Sequence, residues 1–110
     1  MNQSDQWIKT FDTNIHPYFY LSKYALPHMN RGSTIINCAS INAYIGRQDL
    51  LDYNSTKGAI VSFTRGLSNQ QIGNGIRVNC VCPGPGVFPS PLLLPLVHCV
   101  LFKTQVLMGD

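Results

Sequence analysis

Charge is scarce in this sequence. Of its 110 residues only 12% are Asp, Glu, Lys or Arg, whereas 45% are apolar. A chain that apolar is made to bury a core, which excludes the low-hydrophobicity, high-charge class of disordered proteins. The net charge is +3, and the eight basic residues stand singly along the chain. There is thus no basic cluster of the kind that grips phosphates, and nucleic-acid recognition is unsupported. No C-x-x-C pair occurs among Cys38, Cys80, Cys82 and Cys99. Cys80 and Cys82 share one face of an expected strand, which suits packing rather than metal ligation. The expectation is buried free thiols in a reducing compartment, the cytoplasm, and no metal. Long unbroken apolar runs are also missing. The tail over residues 87–102 is apolar but holds Pro89, Pro91, Pro95 and His98. It falls short of the ~20 residues that span a bilayer, so no membrane association is expected. The opening "MNQSDQW" is polar and does not read as a signal peptide.

What is present is a regular alternation of patterns. Trp7, Phe11, Ile15, Tyr18, Leu21 and Ala25 recur at helical spacing and predict a helix over residues 6–29. Ser4 is its expected N-cap, and Pro17 predicts a kink or break inside it. "STIINCAS", residues 33–40, reads as a buried strand, and "INAYIGRQD", residues 41–49, as a loop. A second helix is expected over residues 51–71, with Ala59, Ile60, Phe63, Leu67 and Ile72 inward and "GNG" as its stop. Residues 76–82 read as a second buried strand ending in a Pro/Gly loop. Helix, strand, helix, strand implies an α/β fold with a parallel pair and a right-handed crossover. The expected division is residues 1–86 as an α/β unit and residues 87–110 as an irregular Pro/Leu-rich tail.

In open α/β sheets, ligands bind beyond the carboxyl ends of the strands. Ser40 closes the first strand and Pro83–Gly84 follow the second. Tyr53 and Lys57 stand at i and i+4 near the start of the second helix, on one face. An ammonium beside a phenol favours phenolate, and such a phenol can exchange a proton with an alcohol or carbonyl oxygen. Ser40 could donate to that same oxygen as charge develops. Each residue also has a plainer reading. Tyr53 and Lys57 fit a surface tyrosine beside a solvated lysine, Ser40 fits strand closure, and Asn14 fits backbone bonding at a helix kink.

Taken together these residues resemble the short-chain dehydrogenase/reductase family over about residues 7–85. "YNSTK" is similar to its Tyr-x-x-x-Lys motif, and Ser40 lies thirteen positions before Tyr53, at the spacing of the family serine. "TNIHPYFYLSKYALPHM" resembles the helix carrying the family asparagine, matched by Asn14, and "GIRVNCVCPGP" the strand and turn beside the nicotinamide. "STKGAIVSFTRGLS" and "ASINAYIG" look closest to the aldehyde reductases and glucose/ribitol-type dehydrogenases. The resemblance implies a partial Rossmann-like, doubly wound sheet and an NAD(P)-dependent oxidoreductase acting on a small carbonyl or alcohol. It implies Tyr53 as acid/base. Lys57 assists Tyr53 and bonds the nicotinamide ribose. Ser40 polarises the carbonyl, and Asn14 holds a relay water. Pro83 and Gly84 line the nicotinamide side. The two long helices resemble those that pair between family subunits, so a homo- or hetero-oligomer is expected. The family's Gly-rich turn has no counterpart ahead of the first helix, and neither has the residue that chooses NAD or NADP. After Pro85 the sequence "GVFPS" departs from the family pattern. An inactive, truncated fragment that associates with a full-length relative is the alternative expectation.

Overall fold

The structure is a computed structural model and describes residues 3–84 and the backbone of residues 99–102. Helix α1 runs over Ser4–Asn14 and α2 over His16–Ala25, followed by a 3-10 turn at Leu26–His28. The expected single helix is therefore two. Pro17 sits in the first turn of α2, where its missing N–H costs nothing. Gln3, not Ser4, holds the N-cap position, and its side chain makes no capping bond.

Strand β1 is Thr34–Cys38, β2 is Arg77–Pro83 and β3 is Cys99–Phe102. The sheet order is β1-β2-β3. β1 and β2 pair in parallel, with Thr34 opposite Arg77 and Cys38 opposite Val81. β3 pairs antiparallel to β2, with Cys80 opposite Phe102. It lies beyond the last tail proline, where the ladder no longer loses a donor. Residues 85–98 and 103–110, which hold most of the expected tail, fall outside the described residues, as does the boundary at 86.

Helix α4, Leu51–Gln71, occupies the expected span, and a one-turn helix α3, Asn42–Ile45, interrupts the expected loop. α4 crosses one face of the sheet. Ile60 and Val61 join Ala39, Cys80 and Cys82 in the core. β1 departs from the expected buried strand: Thr34, Ile36 and Cys38 are exposed, and Ile36 keeps 68% of its surface. Among the described residues no element covers that face, so only the residues turned toward α4 are shielded.

The inner face of α4 is more polar than its apolar residues suggest. Asp52, Thr56, Ile60, Thr64, Leu67 and Gln71 are buried, while Ala59, Phe63 and Ile72 are only half-buried. The spacing of these six is helical, but four of them are polar because they face other polar groups. Thr10 donates to Asp52 Oδ2 at 2.6 Å, and Asn14 Nδ2 donates to Thr56 Oγ1 at 3.2 Å. Both pairs are separated by 42 positions, so α1 and α4 run parallel in register. Asn37, the buried residue of β1, donates to Thr64 Oγ1 at 2.9 Å. The C-terminal end of α4 is closed by Gly75 at φ 67° and by Arg31, whose Nη2 donates to the Gly73 carbonyl at 3.0 Å. A Cβ at Gly75 would lie 2.6 Å from Arg31 Cγ, so the residue must stay glycine.

Thr64→Val deletes the acceptor of a buried amide without changing its volume much. It should destabilise the fold by about 1–3 kcal/mol in urea denaturation. An unchanged midpoint would show that the Asn37 amide does not depend on it. Burial, then the neighbouring Cys82 thiol, pushes the Cys80 thiol up from 9.0 to about 11. The folded state thus holds this proton more tightly than the unfolded chain. The associated stability is complete below the unfolded value and drains away as pH rises from 9.0 through about 11. Cys80→Ala should flatten that alkaline loss, read from thermal melts across the same window.

Candidate active site

β1 and β2 are parallel, so their carboxyl ends open at the same edge of the sheet. Backbone bonds carry the pairing past the strands: the Ala39 N–H donates to Val81 O at 2.8 Å and the Ile41 N–H to Pro83 O at 3.0 Å. This ties the chain around Ser40 to the turn at Pro83–Gly84. α4 begins after the loop folds back over the same edge. The result is a cavity of about 370 Å³ lined by Ser40, Tyr53, Lys57, Pro83 and Gly84 together with Cys38, Ile45 and Arg47. Five of the six residues expected from the sequence therefore meet on one cavity.

Ser40 is buried at 7% exposure. Its Oγ accepts from the Asn42 N–H at 3.1 Å, and its carbonyl accepts from the Ala43 N–H at 3.0 Å. The turn that starts α3 thus fixes the hydroxyl and leaves its proton to donate. Lys57 Nζ stands 5.5 Å from the centroid of the Tyr53 ring, the geometry of a cation over an aromatic face. The ammonium also donates to the Cys38 carbonyl at 3.2 Å. Asn14 does not line the cavity. Its amide reaches Thr56, the residue before Lys57, and so braces α4 from behind. Thr56 is fully buried and in turn donates to the Tyr53 carbonyl at 2.8 Å.

The far wall comes from residues 41–49, for which the sequence predicts a loop. Gly46 caps α3 at φ 60°, and the chain then turns through Arg47. Arg47 and Asp49 form a bidentate pair at 3.0 and 2.7 Å, which holds the Asp49 carboxyl below its usual range. Asn54 Nδ2 donates to the Arg47 carbonyl at 2.6 Å, tying this wall to the first turn of α4. The sequence pattern predicts Tyr18 only as an apolar helix residue. Its hydroxyl donates to the Cys38 carbonyl at 2.9 Å, and burial raises its pKa, so it stays a donor at neutral pH. No spacing in the sequence singles it out, because the helix breaks between Asn14 and Tyr18.

The described residues contain no group of three or more His, Cys, Asp or Glu side chains that could hold a metal ion. They also contain no helix long and apolar enough to cross a membrane. The chemistry on offer is a phenol, an ammonium and a hydroxyl around one cavity, which is suited to proton exchange at a substrate oxygen.

The sequence matches the profile of a family described as enoyl-(acyl carrier protein) reductase over residues 1–89. An uncharacterized oxidoreductase of Schizosaccharomyces pombe is 54% identical over 106 residues, which is 96% of this chain and 35% of the relative. The glucose and ribitol dehydrogenase of Daucus carota is 64% identical over 77 residues, covering 70% of this chain and 26% of that protein. Among solved structures, a short-chain dehydrogenase/reductase of the glucose/ribitol dehydrogenase type from Brucella melitensis superposes with a TM-score of 0.74 at 40% identity. That match covers 79% of this chain and 35% of the other. The chain spans about a third of the length of these relatives. Its parallel α/β core, the profile match over most of its residues and the identity to these dehydrogenases agree: the chain belongs to the short-chain dehydrogenase/reductase family.

Proposed function

We propose that this chain is the catalytic portion of an NAD(P)-dependent oxidoreductase that interconverts a carbonyl and an alcohol. The observation that carries the reading is the meeting of Ser40, Tyr53 and Lys57 with Pro83–Gly84 on one cavity. In reduction, Tyr53 gives its phenolic proton to the substrate oxygen, and in oxidation it takes that proton back. Lys57 places positive charge against the Tyr53 ring and favours the phenolate left after proton transfer. Ser40 donates to the same oxygen while negative charge develops there. Asn14 acts through Thr56, holding the turn of α4 that presents Tyr53 and Lys57.

The cofactor can be tested against the residues present. An ammonium, a phenol and the Pro83–Gly84 backbone on one wall fit the nicotinamide-ribose end of NAD or NADP. The nicotinamide supplies or accepts the hydride when bound. The diphosphate end finds no match among the described residues. The left-handed glycines Gly32, Gly46 and Gly75 lie in single turns, not in a Gly-rich turn that opens a long helix. Substrates of the reading are aldehydes, ketones or sugars and their alcohols, in line with the names of the relatives. The buried free thiols of Cys80 and Cys82 suit a reducing compartment such as the cytoplasm.

A second reading is a non-catalytic fragment that associates with a full-length relative or with another copy. It is favoured by α2, where Phe19, Leu21 and Tyr24 remain 52%, 71% and 67% exposed.

Fluorescence titration with NADH and NADPH separates the two. Cofactor binding by the purified, folded chain supports catalysis, and a folded chain that binds neither supports the fragment. Where turnover of an aldehyde or polyol is seen, Tyr53→Phe should lower it by about 10²–10⁴-fold, since the ring stays and only the proton is lost. Activity that survives Tyr53→Phe would remove Tyr53 from the acid/base role.

A further inference from the structure

The carbonyl of Cys38 is an unusual acceptor in this fold. Along β1 the N–H and C=O groups of successive residues point to opposite sides. The Ala39 N–H and the Ser33 carbonyl bond to β2, so the odd-numbered residues face that strand. Cys38 therefore directs its carbonyl to the opposite edge, away from β2. Two side chains meet it there: Tyr18 from α2 and Lys57 from α4, at 2.9 and 3.2 Å.

We propose that Tyr18 is a positioning residue for Lys57, holding the ammonium against the Tyr53 ring by occupying one of the two lone-pair directions of the Cys38 carbonyl. An sp² oxygen offers two such directions in the plane of the peptide. With the Tyr18 hydroxyl in one, Lys57 has the other. Its ammonium then rests 5.5 Å from the Tyr53 ring centroid. Without that hydroxyl, the flexible lysine stem lets the ammonium visit both directions, and its residence at the ring falls. Tyr18 also packs its ring beside the core with Ile15 and Ala43. The hydroxyl and the ring therefore have separate duties, and Tyr18→Phe removes only the first.

This inference rests on Lys57 being the reactive lysine, but its test needs no turnover. Absent catalysis would count against the oxidoreductase reading and leave this one standing. The readout is the upfield ring-current shift of the Lys57 ε-methylene protons in the full chain, measured by NMR. Tyr53→Leu should abolish the shift, which identifies its source. Tyr18→Phe should reduce it by about twofold, as the ammonium divides its time between two lone-pair directions. Lys23, whose Nζ lies 5.5 Å from the Tyr24 ring centroid, is the internal reference and should not move. A Lys57 shift unchanged in Tyr18→Phe overturns the proposal. A second measurement covers the case in which that variant does not fold. The Cys38 carbonyl-carbon resonance should move when Lys57→Met removes one of its two donors. A resonance that stays put overturns the proposal as well.

Discussion

The parallel pairing of β1 with β2 is the constraint on which the site depends. Two neighbouring parallel strands cannot be joined by a tight turn. The chain must leave the carboxyl end of β1, return along the sheet and re-enter β2 at its amino end. That return is α4, and its first turns necessarily start at the edge where β1 stopped. Ser40 at the end of β1, Tyr53 and Lys57 at the start of α4, and Pro83–Gly84 at the end of β2 then share one cavity. The chemistry is local because the crossover is long.

The second constraint is the choice of polar groups on the buried side of α4. Asp52, Thr56 and Thr64 are nearly or wholly inaccessible, and Thr10, Asn14 and Asn37 meet them. Burying such groups adds little net stability, because each gives up water to gain a protein partner. Their benefit is directional. Apolar side chains tolerate sliding, whereas a hydrogen bond has one partner at one distance.

How much of this was readable from the chain differs from element to element. The span of α4 was legible because its apolar residues recur at one period and "GNG" stops it. The break near Pro17 was legible because proline lacks the donor that a continuous helix needs. The polar lining of α4 was not, since Thr56 and Thr64 carry no sign in sequence of which neighbours they meet. β1 looked buried because Ile35 and Ile36 are adjacent, yet a strand with one covered face exposes every second residue. Ser40, Tyr53, Lys57, Pro83 and Gly84 stood out through spacing and resemblance, and the structure brings them together. Tyr18, Arg47 and Asn54 did not. Their contributions run through backbone carbonyls of residues distant in sequence or set by a turn.

The polar lining and the Tyr53–Lys57 pair are connected through helix geometry. Each residue advances an α-helix by about 100°. A one-residue slip of α4 against α1 would leave much of its apolar contact intact but would turn Tyr53 and Lys57 off the cavity. The bonds from Thr10 to Asp52 and from Asn14 to Thr56 share a single offset, and a slip breaks both at once. Asn54 pins the far wall to the same turn, so wall and helix move as one. Asn14 on α1 is thus bonded to the helix whose rotation decides whether the Tyr53 phenol faces the cavity. In this chain the precision of the site is set by hydrogen bonds behind the cavity rather than by apolar burial beneath it.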